Sequence, residues 1–157
     1  MFEPRFVIQF APTQDGATCL GSQLITIVEF LKTELKTHVW YAADVEAHSD
    51  LPSERGLNNW RLGEIGDDEG LIEFCKEIHQ FIWGVFIAVG SQHANQETGL
   101  FEIATEEDQF RPINLEGVLL EIRTFDTSYF EIYTDDEHLM NRLALHFGAK
   151  IETKSAP

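Results

Sequence analysis

The stretch from Leu119 to Gly148 constrains the fold more than any other. Leu119-Leu120-Glu121-Ile122-Arg123-Thr124-Phe125 and Tyr129-Phe130-Glu131-Ile132-Tyr133-Thr134 are short runs of β-branched and aromatic residues with Asp126-Thr127-Ser128 between them, the pattern of two antiparallel strands. A one-residue slip would turn every apolar side chain to the wrong face, so the register can be argued. Setting Ile122 opposite Ile132 leaves Asp126-Thr127-Ser128 as the loop, which would favour Gly at its third position. On the other, outward face it places Arg123 against Glu131 and Glu121 near Tyr133. The rival register of the same parity opposes Glu121 to Glu131, and like charges directly opposite are unfavourable. The first register is therefore expected.

A helix should follow at once. Thr134 stands three residues before Glu137, a capping-box spacing, and Asp135 and Asp136 place negative charge at the positive end of the helix dipole. Leu139, Met140, Leu143 and Phe147 form one apolar stripe, and Gly148 is a suitable stop.

Upstream, Arg5–Phe10 reads as a first strand halted by Pro12, and Ser22–Lys36 as an amphipathic helix with Leu24, Ile27, Val28, Leu31 and Leu35 on one side. Val39–Glu46 has strand composition. Strict alternation would send Val39, Tyr41, Ala43 and Val45 to the core and Trp40, Asp44 and Glu46, with His48 beyond, to the opposite face. His48–Asn59, with Pro52, is the longest polar stretch, and Trp60–Ile65 is a candidate edge strand. Asp67 is a plausible N-cap for a second helix with a stripe of Leu71, Phe74, Cys75, Ile78 and Ile82. Trp83–Val89 is apolar on both faces, as a central strand covered on both sides should be, and Leu100–Ala104 is a further candidate strand. The residues from Thr105 to Asp108 and Pro112 separate it from the hairpin.

This order predicts an α+β fold, a two-layer sandwich with a mixed, largely antiparallel sheet of about five to seven strands packed by three helices. At 157 residues the chain fits one domain, 1–150, with a flexible tail at 151–157. Hydrophobic residues at 43% and charged residues at 24% are in the globular range rather than that of disorder.

Charge is the less ordinary property. Eleven Lys and Arg face 27 Asp and Glu, a formal net charge of −16, which repels nucleic-acid phosphates and anionic lipid. Neither nucleic acid nor membrane is expected as a partner, whereas a basic protein is. The start, Met1-Phe2-Glu3-Pro4-Arg5, lacks a basic segment followed by an apolar one, and no apolar run approaches the length of a membrane span, so a cytoplasmic location is expected. Cys19 and Cys75, far apart in sequence, do not make a disulfide framework.

Motifs for phosphate binding, dinucleotide binding, the nucleophile elbow and zinc-protease chemistry are missing from the sequence. No cofactor is implied. The residues singled out for binding are Trp40, Asp44, Glu46 and His48 on one strand face, with Trp60 as a further anchor, since Trp is enriched where interfaces concentrate their energy. The expected function is that of a small acidic binding protein, a bacterial toxin-neutralising (immunity-like) or regulatory partner of a basic protein. The competing expectation is an enzyme or metal-binding module using Asp44, Glu46 and His48, with Cys19 or His93 as accessory groups, because carboxylates and imidazoles are ordinary metal ligands. A homo-oligomeric structural role is a third. Cys19 precedes a helix, where the dipole could activate a thiol.

Overall fold

The computed structural model describes residues 1–12, 16–49 and 56–155. Its elements in chain order are β1 (Phe6–Phe10), α1 (Gly21–Glu34), β2 (His38–Ser49), β3 (Gly63–Gly66), α2 (Asp68–Lys76), β4 (Ile78–Gly90), β5 (Val118–Phe125), β6 (Tyr129–Thr134), α3 (Glu137–Phe147) and β7 (Ile151–Thr153). The strands form one seven-stranded sheet in the order β3-β2-β4-β5-β6-β1-β7. Every pairing in it is antiparallel, so the α+β architecture stands and the sheet is purely antiparallel rather than mixed.

The topology repeats one device. β3 and β4 both run antiparallel to β2, hence parallel to each other, and α2 joins them across β2. Likewise β6 and β7 flank β1, with α3 as the connection. Residues 151–153, expected to belong to a free tail, are therefore strand, because β1 offers them an open edge on which to satisfy their backbone groups. Residues 156–157 lie outside the described residues.

All three helices cover one face. Leu24, Ile27 and Leu31 of α1, Leu71 and Phe74 of α2, and Leu139, Met140 and Leu143 of α3 pack on Ile8, Trp40, Phe86, Leu120, Ile122 and Ile132 of the sheet. The other face is roofed by the irregular segment between β4 and β5. Ile103, Ile113 and Leu115 from this roof, joined by Phe2 and Leu62, meet Tyr41, Ala43, Val85, Ile87 and Val89. Phe2 and Ile113 exchange both backbone hydrogen bonds (2.8 and 2.9 Å), and Tyr41 Oη donates to Ala94 O (2.8 Å). From Gly84 onward the central strand β4 is thus buried on both sides, as its composition requires. Among the described residues, no helix is long and apolar enough to cross a membrane.

The hairpin has the expected register: Ile122 opposes Ile132, Arg123 opposes Glu131, and Glu121 opposes Tyr133. In the loop, Asp126 (φ 44°) and Thr127 (φ 59°) are left-handed, so the strained positions are the first two rather than the third. Thr18 Oγ1 donates to Thr127 O and props the turn from outside.

Several boundaries differ from expectation. α3 is capped by Asp136, whose Oδ1 accepts from Leu139 N (3.0 Å). Thr134 instead donates its hydroxyl to Leu119 O (3.0 Å). α2 is capped by Asp67 as expected but stops at Lys76, because Ile78 onward pairs with the far end of β2. Trp60–Leu62 leaves the sheet edge. Arg61 forms an isolated antiparallel bridge with Glu102, so residues 60–62 and 101–103 make a small ribbon beside the roof, and the expected edge strand begins only at Gly63, as β3.

Candidate functional site

Strict alternation along β2 fails at one residue. Between Ala43, which faces Val85, and Glu46, which faces Trp83, β2 carries one more residue than β4, and Asp44 there has φ 55°. This is a β-bulge. The freed amides are taken up by the following loop: Asp44 N donates to Asn59 O (2.6 Å) and Val45 N to Leu57 O (2.9 Å). Before the bulge Trp40 pairs with Ala88 on the helix-covered face; after it, Glu46 lies with Trp83 on the roofed face.

The five sequence-selected residues are therefore divided. Trp40 is wholly buried, and its Nε1 donates to Asp68 Oδ1 (2.7 Å), to which His38 Nε2 is also 2.7 Å distant. That arrangement ties β2 to the first turn of α2, and Trp40 is withdrawn from any surface role. His48 is exposed on β2 opposite Gln80 and is not among the residues lining the groove described below. Asp44, Glu46 and Trp60 do come together.

They line a groove of about 670 Å3 with Trp83, Glu102, Glu106 and Glu107. Trp60, on the ribbon, is 60% exposed, and Trp83, at the edge of the roof, is half-buried. Five carboxylates thus border one concavity, and among the described residues none of them has a cation within ion-pair distance. Sequence reasoning missed Trp83, which reads as part of an apolar core strand, and the glutamates of the roof, which read as a separator. The adjacent acids Glu106-Glu107 were the available signal.

Asp44 has a second task. Its Oδ2 accepts from Thr105 N (2.8 Å), and the buried Thr105 Oγ1 accepts from Gly84 N (3.0 Å), so the bulge pins the roof to β4. Asp44→Ala removes the acceptor and places Ala in a left-handed conformation, with an expected loss of about 2 kcal/mol. Asp44→Asn keeps an acceptor and tolerates that conformation, so it should cost less than about 1 kcal/mol. Urea unfolding of the two variants checks the order.

Beneath the roof the face is charged. Arg123 and Glu121 are fully buried, with Arg123 Nε 3.3 Å from Glu121 Oε1, and Arg111 from the roof pairs with Glu121 from the other side. Arg123 also donates to Glu107 O (3.2 Å) and Asp108 O (3.3 Å), and its guanidinium carbon sits 4.4 Å above the Tyr133 ring. Tyr133 Oη donates to Glu131 Oε1 (2.9 Å). Burial raises the pKa of both Glu131 and Tyr133, partly opposed by Arg123. The hairpin face expected to be outward is thus an enclosed ionic network.

The accessory groups of the competing expectation do not assemble. Cys19 is buried, its Sγ lies 3.2 Å from Tyr129 O, and burial pushes its thiol up to about 11, the reverse of activation. His93 sits in the turn after β4, against Gly117. Among the described residues no three His, Cys, Asp or Glu side chains are arranged to hold a metal ion. The chain matches no family model, no curated protein and no solved structure.

Proposed function

We propose that this is an acidic binding protein of the cytoplasm that captures a basic protein, as a bacterial toxin-neutralising (immunity-like) or regulatory partner would. The observation that carries this reading is the groove, where five carboxylates, none of them in an ion pair among the described residues, surround an exposed tryptophan. These carboxylates find no ion-pair partner among the described residues of the fold, and a cationic surface would supply one. The net charge of −16 acts in the same direction at longer range, accelerating encounter with a positive partner.

The test is binding of the immobilised protein to a panel of purified basic nucleases and to acidic proteins of similar size. At least one basic member should bind at low salt, with an association rate that falls as salt rises, because the Debye length shrinks to about 8 Å at physiological ionic strength. Failure of every basic member at both low and moderate salt overturns the reading.

A further inference from the structure

The roofed face carries a row of aromatic side chains that the roof leaves half-open. Glu46 on β2 faces Trp83 on β4, Trp83 faces Phe125 on β5, and Phe125 faces Tyr129 on β6. The rings touch in sequence: Trp83 and Phe125 meet edge to face at 6.3 Å, and Phe125 stacks on Tyr129 at 5.1 Å. Each of the three is partly exposed, and the row begins in the acidic groove.

One step further along the same strands, the same face already holds a guanidinium. Arg123, two residues from Phe125, lies over Tyr133 and is paired with Glu121. An aromatic ring beneath and a carboxylate beside is therefore how this face accommodates its own arginine. The open part repeats both components, with Trp83 as ring and Glu46, Glu106 and Glu107 as carboxylates, but supplies no arginine.

Resting on the reading above, we propose that the groove receives an arginine side chain of the basic partner, its guanidinium stacked on Trp83 or Trp60 and forked to the surrounding carboxylates. Lysine fits less well. A guanidinium is planar, stacks on aromatic faces and presents paired donors to a carboxylate, whereas an ammonium is a strongly hydrated point charge.

The probes are an arginine decapeptide and a lysine decapeptide, titrated into the full chain at about 0.1 M salt, where the Debye length is about 10 Å, and followed by tryptophan fluorescence and calorimetry. The arginine peptide should bind about threefold or more tightly than the lysine peptide. Glu106→Gln with Glu107→Gln, exposed positions with side chains outside the core, should weaken it by about tenfold. Glu137→Gln with Glu152→Gln changes net charge equally on α3 and the far edge of the sheet, and should weaken it by less than about twofold, since exposed charges beyond a Debye length are largely screened. Trp60→Ala, at an exposed position, should reduce the preference for arginine. Equal weakening by the two charge pairs, or equal binding of the two peptides, overturns the proposal and leaves a partner held by overall charge. If neither peptide binds the proposal is also overturned, and the nuclease panel still decides the broader reading.

Discussion

Arg123→Ala should destabilise the protein by about 3–5 kcal/mol, the usual consequence of removing one member of a buried ion pair, and should loosen the roof before the rest of the sheet opens. Four groups lose a partner at once. Glu121 loses a counter-ion on one side, the carbonyls of Glu107 and Asp108 lose their donor, and the face of Tyr133 is uncovered. The loss is a large share of a typical stability of about 5–15 kcal/mol. Arg123→Lys restores the charge but neither the fork nor the stacked plane, so it should recover only part of the loss. Urea unfolding measures the total, and hydrogen exchange places it: amides of residues 104–111 should lose protection ahead of those in β4. A uniform loss of protection would show that the network supports the sheet as a whole rather than tethering the roof.

The second large effect is expected at the start of α1. A side chain on Gly21 would put its Cβ 2.3 Å from both Cys75 O and Ile78 O, which belong to the backbone where α2 gives way to β4. Flexible side-chain ends can move aside, but these carbonyls are held by the junction of two elements. Gly21→Ala should therefore cost more than about 3 kcal/mol, at the upper end for overpacking, and Gly21→Val should prevent folding. Ser22→Ala, one position along on the exposed side of the helix, should change stability by less than about 0.5 kcal/mol and serves as the control in thermal unfolding.

Much of the frame was legible in the residues because it depends on local rules. The Ile122–Ile132 register follows from parity and charge pairing, the Asp67 cap from its place before an apolar stripe, and the central position of β4 from apolar residues on both faces. Two features were not legible. The polar alternation Glu121, Arg123 and Glu131 signals solvent, and nothing in those residues says that the roof, with Arg111 ten residues before Glu121, folds back to enclose them. The bulge at Asp44 is likewise silent in sequence, apart from Asp being tolerant of left-handed backbone. Its single extra residue places Trp40 and Glu46 on opposite faces, so Asp44 and Glu46 line one groove, as alternation suggested, but the strand tryptophan beside them is Trp83 instead of Trp40.

The placement of β1 between β6 and β7 has a consequence for biosynthesis. Phe6–Phe10 is translated well before its hydrogen-bonding neighbours, both of which lie beyond residue 128. Until those have been translated, five residues with only Gln9 exposed in the finished sheet have no edge to join. Nascent-chain folding should therefore be late and nearly all-or-none at this end, and any holding factor that acts during translation has β1 as its natural substrate.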